Sequence, residues 1–210
     1  MFYEIVRSRR SIRVYDKRIV PRDVLSRILE SARWAPSAHN AQPWRFIVIY
    51  EDAVKRRLAE AMADAWFNDL RRDGVPEQEA LKIVEEESMK RFTESPVLIV
   101  VCLTMKDMDK YPDERRMKAE YIMAVQSVAA AVQNMLLAAH VEGLGACWVC
   151  APLFCQNIVK EALKLPEDFE PQAILTLGYP IGEYKPPMRK LLSEIVWVLT
   201  SREGMTPWEI

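Results

Sequence analysis

Glycine is scarce in this chain: six among 210 residues, at Gly74, Gly143, Gly145, Gly178, Gly182 and Gly204. Neither GxGxxG nor GxxxxGK followed by Ser or Thr can be written with them, which excludes a Rossmann dinucleotide turn and a P-loop. A bound nucleotide would have to be held by side chains. Histidine is scarcer still: His39 and His140 stand far apart and outside any HExxH pattern, so no metal is expected. GxSxG is absent, and Ser37 two residues before His39 does not define a triad, so hydrolase chemistry is not expected either. The four cysteines are too few and too unevenly placed for a disulfide framework, which suits a reducing, cytoplasmic compartment. No uninterrupted apolar run reaches the span of a bilayer, and Met1-Phe2-Tyr3-Glu4 lacks the layout of a secretory signal, so no membrane partner is expected. Charge of one sign is missing as well. With 29 Lys plus Arg against 30 Asp plus Glu, the broad basic excess of a general nucleic-acid binder is absent.

Half of the composition is hydrophobic, enough to bury a substantial core in a single domain over residues 1–210. On this balanced background one cluster stands out. Arg7-Ser8-Arg9-Arg10-Ser11-Ile12-Arg13 gathers four guanidinium groups in one short segment. Such a run is either a solvated face or a cradle for an anion, because forked guanidinium donors fit phosphate bidentately and serine adds a hydroxyl donor. Pro186-Pro187-Met188-Arg189-Lys190 places a second cationic pair near the other end of the chain. Convergence of the two clusters on one phosphate is the expectation that follows.

Apolar spacing predicts helices over 2–7, 21–34, 53–70, 76–92, 114–141 and 155–163, and strands over 44–50, 96–103, 144–150, 172–178 and 193–199. Pro21 is placed in the first turn of its helix, and Gly143 as a left-handed cap after the longest one. Residues 53–92 carry much of the charge and are expected to form a mobile excursion over the core, either a lid or substrate wall or else plain surface helices. Residues 124–139 are almost free of charge and read as both core and subunit interface. Cys147-Trp148-Val149-Cys150 invites a redox or metal reading. On a strand, however, residues three apart face opposite ways, so these cysteines are expected to be packed rather than paired.

What remains is a phosphate cradle, a small polar loop at 35–43 and several buried strands, with no evident nucleophile, base or metal. That is the residue set left when an organic cofactor carries the chemistry.

The segments RRSIRVYD, WAPSAHNAQPWRFIVI, GLGACWVCAPLF and PQAILTLGYP, in this order, resemble the nitroreductase family of FMN-dependent flavoproteins over nearly the whole chain. The resemblance implies an α+β fold, a central and mostly antiparallel sheet flanked by helices, in an intertwined homodimer with FMN at the subunit interface. It implies that Arg9, Arg10, Ser11 and Arg13 meet the FMN phosphate, ribityl chain and ring edge, with Arg189, and Lys190 beside it, as the C-terminal phosphate position. Pro36, Ser37 and Ala38 match the loop that one subunit lends to the other's flavin ring. Cys150 and Ala151 fall where family backbone amides approach the flavin N5, with Trp148 and Val149 on the same wall, and Asn68 matches a ring-contacting asparagine of some members. Some members carry Glu-Gly where this chain has Cys150-Ala151, which preserves a backbone contact but not a side-chain analogy.

A narrower similarity lies in MKDMDKYPDERR and ACWVCAPLFC, which resemble the FMN reductase domain fused in some bacteria to the gamma-glutamyl ligase of coenzyme F-420 biosynthesis. That resemblance implies hydride transfer from reduced FMN to a dehydro precursor of the deazaflavin, with Arg13 stabilising the reduced ring and the proton donor open among solvent, Tyr111 and Tyr121. Two other readings stand beside it: a general NAD(P)H-dependent nitroreductase or quinone reductase, and a flavin-holding protein without redox turnover.

Overall fold

In the computed structural model, residues 1–201 and 204–208 are described. The elements, in order, are α1 (Phe2–Ser8), α2 (Arg22–Arg33), β1 (Trp44–Ile49), α3 (Asp52–Arg72), α4 (Glu77–Val84), α5 (Lys90–Thr93), β2 (Val97–Leu103), α6 (Glu114–Val141), β3 (Gly145–Val149), α7 (Gln156–Leu163), β4 (Glu170–Gly178), α8 (Leu192–Ile195), β5 (Trp197–Thr200) and β6 (Gly204–Pro207). The strands β1-β2-β4-β3 form one sheet, antiparallel at every junction, and β5 pairs with β6 as a separate hairpin. The fold is α+β with helices on both faces of the antiparallel sheet.

Strand alternation divides the core into two layers. On β2, Val97, Ile99, Val101 and Leu103 face one apolar layer with α2 and α6, while Leu98, Val100 and Cys102 face the other with α3 and α7. Both faces are covered, so β2 is apolar at every position. α6 has the bounds predicted for it, with Asp113 accepting from the Arg116 amide at its start and Gly143 at φ 74° closing its end. Its small residues Ala124, Ala131 and Ala139 sit in the layer shared with α2, and Arg27 of α2 donates two 2.8 Å bonds to Glu142 at the α6 terminus. An 18-residue window of α6 is apolar enough to cross a membrane by length and composition. Here one stripe of the helix is buried against the rest of the fold.

Four expectations need correction. Residues 53–70 are not an excursion: Leu58, Ala59 and Met62 of α3 are buried in the second layer, and the helix packs against α7. Residues 76–92 are not one continuous helix, because a π turn at Glu85–Met89 separates α4 from α5. Residues 193–199 are not all extended. Glu194 accepts from the Leu191 amide at 2.8 Å and seeds the short α8 before β5 begins. Pro21 is the extended residue just before α2 rather than its first turn.

The arginine-bearing N-terminal segment is stitched onto the outer edge of β3. The Ile12 amide donates to Ala146 O at 3.0 Å, and the buried Tyr15 hydroxyl contacts Thr176 Oγ1 at 2.6 Å. Gly145 permits this approach, since a Cβ there would lie 2.6 Å from the Ile12 side chain. Gly145→Ala should therefore cost about 1–3 kcal/mol, measured by urea unfolding. An unchanged midpoint would mean that the segment yields freely.

Candidate functional site

The edge strand β3 connects two cavities. At its start a cavity of about 240 Å³ is lined by Arg9, Arg10, His140, Ala146 and Tyr184, among others. At its end a larger cavity of about 710 Å³ is lined by Val149, Cys150 and Ala151 together with Trp66 of α3, Arg91 of α5 and Phe154. From Ala146 to Cys150 a strand advances roughly 13 Å. A ligand with an anionic tail and a flat apolar head would find one end in each cavity.

The small cavity is strongly cationic. Arg9 is half-buried, and its pKa lies below the ordinary arginine value, first through burial and then through the positive charges of Arg189 and Arg10. The positive charge of Arg189, from the other end of the chain, is thus felt at Arg9, although Arg189 itself is exposed and does not line this cavity. Among the described residues, Arg9, Arg10, Arg13, Arg189 and Lys190 form no ion pair with a carboxylate. Arg10 folds back to donate to the carbonyls of Arg7 and Arg9 at 2.6 and 2.8 Å, while its Nε is buried with no hydrogen-bond partner. Crowded guanidiniums and an orphaned buried donor fit a phosphate group.

His140, on the last turn of α6, completes the wall. Its Nε2 lies 2.7 Å from Ser8 Oγ, and its pKa is lowered by burial, then by Arg9 and Arg10. Sequence reasoning missed His140 because 127 positions or more separate it from the arginines; its place beside the Gly143 helix stop was the one available signal.

Other expected site residues fall elsewhere. Ser11 makes a backbone bridge to Ala146, and its side chain and that of Arg13 are exposed. Val149, Cys150 and Ala151 line the large cavity, whereas Trp148, on the same strand, is 37% exposed and does not. Asn68 is exposed on α3 and does not line that cavity either. Pro36, Ser37 and Ala38 are not brought to the arginines within this chain; the Ala38 amide donates instead to Ser127 Oγ of α6 at 3.2 Å. All four cysteines are free; Cys147 is packed as expected, whereas Cys150, just past the end of β3, is exposed rather than packed. Burial raises the Cys150 pKa, which leaves it a thiol and a poor nucleophile near neutrality.

Residues 6–179 match the model of the nitroreductase family. A protein of Archaeoglobus fulgidus named "Putative NADH dehydrogenase/NAD(P)H nitroreductase" is 32% identical over 182 residues, covering 86% of each chain. Among solved structures, a BluB-like flavoprotein from Clostridium difficile 630 superposes with a TM-score of 0.80 at 22% identity, over 95% of this chain and 99% of that one. An iodotyrosine deiodinase bound to FMN and 3-iodo-L-tyrosine superposes with a TM-score of 0.72 at 23% identity, over 97% of this chain and 100% of that one. At these identities the two structures establish the fold.

The lowered His140 pKa has a consequence for the ligand-free protein. The unfolded chain takes up the proton at higher pH than the folded one, so stability is full above the unfolded value near 6.5 and falls as pH drops below it. Between pH 7 and 5.5 the wild-type melting temperature should fall more than that of His140→Gln. Parallel curves would remove His140 from the cationic cluster.

Proposed function

Because the chain belongs to the nitroreductase family, we propose that it is an FMN-dependent oxidoreductase whose phosphate cradle is built from both ends of the polypeptide. The observation that carries this reading is the cavity lined by the half-buried Arg9 and Arg10, in which the Arg10 Nε is buried without a partner and neither arginine pairs with a carboxylate among the described residues. Arg9, Arg10 and Arg189 would hold the phosphate, Ser8 and His140 would close its far side, and the β3 terminus at Val149, Cys150 and Ala151 would face the ring. When bound, FMN supplies hydride-transfer chemistry at its isoalloxazine ring. Arg13, exposed and without an acidic partner among the described residues, offers a positive charge for the ring edge. Deiodinase bound to FMN shares the fold and supports the choice of cofactor.

The assembly we propose is an intertwined homodimer. Trp197 and Leu199 on the separate β5–β6 hairpin are 53% and 76% exposed, as are apolar positions of α8. A second copy would cover this arm, and Pro36, Ser37 and Ala38 would then reach the partner's flavin. The free cysteines are consistent with a reducing cytoplasm.

For the acceptor, the dehydro precursor of the deazaflavin is supported by the resemblance of residues 105–116 and 146–155. In the large cavity Trp66 and Phe154 offer flat apolar surface for a planar acceptor, while Arg72 and Arg91 are paired with Asp69 and Glu87 of the same wall. The second reading, an NAD(P)H nitroreductase, is favoured by the name of the Archaeoglobus fulgidus relative.

The test is transient kinetics on the FMN-loaded protein, reduced anaerobically and mixed with either the dehydro precursor or a nitroaromatic while flavin absorbance is followed. Fast reoxidation by the precursor is the expected result. Reoxidation by the nitroaromatic alone would favour the second reading, and reoxidation by neither would point to a flavin-holding protein.

A further inference from the structure

Three separate segments bring a histidine and two carboxylates together near the start of α6, whereas His140 of the arginine cradle lies on its last turn. His39 belongs to the loop after α2, Asp109 to the loop after β2, and Glu120 to the second turn of α6. Their ligand atoms all lie within 4.8 Å of one another. His39 Nε2 is 3.3 Å from Glu120 Oε1 and 3.8 Å from Asp109 Oδ2.

These separations are informative. A charge-assisted hydrogen bond from imidazolium to carboxylate closes to about 2.7–2.9 Å, and neither contact reaches it. Donor atoms sharing a tetrahedral ion through bonds of about 2.0–2.2 Å stand about 3.3–3.6 Å apart. The two measured distances bracket that spacing.

Glu120 supplies an independent observation. It is only 2% exposed, and its Oε2 is buried with no hydrogen-bond partner, although the Oε1 of the same carboxylate touches His39. Among the described residues no lysine or arginine pairs with it. A carboxylate oxygen withdrawn from water without a partner leaves room for a cation beside it.

We infer that His39, Asp109 and Glu120 form a binding site for a divalent transition ion of the Zn²⁺ or Mn²⁺ class. One nitrogen and two carboxylate oxygens suit the borderline Zn²⁺, and the two oxygens also suit the harder Mn²⁺. The ion clamps the loop 35–42, in which His39, Asn40 and Gln42 all hold positive φ near 50°, against α6 and the loop before it. With three protein ligands, a further coordination position stays open to water. The expectation of no metal rested on two histidines far apart in sequence with no HExxH pattern and no adjacent cysteine pair; the inferred site needs only one histidine, with carboxylates from other segments.

The test uses the FMN-loaded protein after chelator treatment, titrated with Zn²⁺, Mn²⁺ and, as a hard-ion control, Mg²⁺ by isothermal calorimetry. The wild type should bind one Zn²⁺ or Mn²⁺ per chain in preference to Mg²⁺. His39→Ala and Glu120→Gln should each weaken that binding on the order of 100-fold. Far-UV circular dichroism of the metal-free variants checks that they fold, and Asp109→Asn, at an exposed position, gives a third variant whose folding is not at stake. Co²⁺ added in place of Zn²⁺ should give d–d absorption that His39→Ala abolishes. No Zn²⁺ or Mn²⁺ binding, or binding unchanged in folded His39→Ala, Glu120→Gln and Asp109→Asn, would overturn the site. Because the readout is metal binding, its failure leaves the flavin reading standing, and loss of FMN leaves this site standing.

Discussion

The guanidinium groups of Arg9 and Arg10 sit beside the first residues of β3, where Arg9 feels the charge of Arg189 from the other end of the polypeptide and none of the three pairs with a carboxylate among the described residues. The depressed Arg9 pKa reflects burial first and the neighbouring positive charges second. Much of the surrounding structure serves to hold the cluster together in the absence of an anion. Ile12 is bonded to Ala146 across a glycine that leaves room for it, Tyr15 is anchored on Thr176, and Ser8 leans on His140. An anion arriving there meets donors already in place, and reorganisation costs little.

The antiparallel sheet gives the cluster its reach. β3 is an edge strand, so its outer side is open to the N-terminal segment, while β4 fixes its register from Gly145 opposite Gly178 to Val149 opposite Ile174. Its first residues lie at the cations and its last at the large cavity. The two core layers make this strand stiff, with α6 on one face and α3 and α7 on the other. Cys102, deep in the second layer, has its pKa pushed up to about 12 by burial, then by Glu170, which marks that layer as dry packing rather than a place for thiol chemistry.

Much of the fold was legible because strong periodicity and breakers coincide. Asp113 and Gly143 frame α6, and the unbroken apolar run of β2 announced coverage on both faces. The failures were local contests. The π turn within residues 76–92 leaves a helical apolar pattern unchanged, and β-rich residues around Ser193 yielded to a cap supplied by Glu194. At the site, the arginines were legible because charge crowded into seven residues has few explanations. His140 and the grouping of His39, Asp109 and Glu120 were not, since each depends on contacts across the fold that leave no local pattern. Asn68, matched by resemblance on a helix that aligns loosely, lies exposed beside the large cavity's wall rather than in it.

The account rests on cooperation between Arg9 and Arg189, and a double-mutant cycle on FMN affinity tests it most directly. Dissociation constants would be measured by flavin fluorescence for the wild type, Arg9→Ala, Arg189→Ala and the double variant. Loss of a charge-assisted contact predicts about 10- to 100-fold weaker binding for each single change, and a shared phosphate predicts that the two effects do not add. Wild-type affinity in Arg189→Ala, or strictly independent effects, would mean that the two ends of the chain do not grip one phosphate.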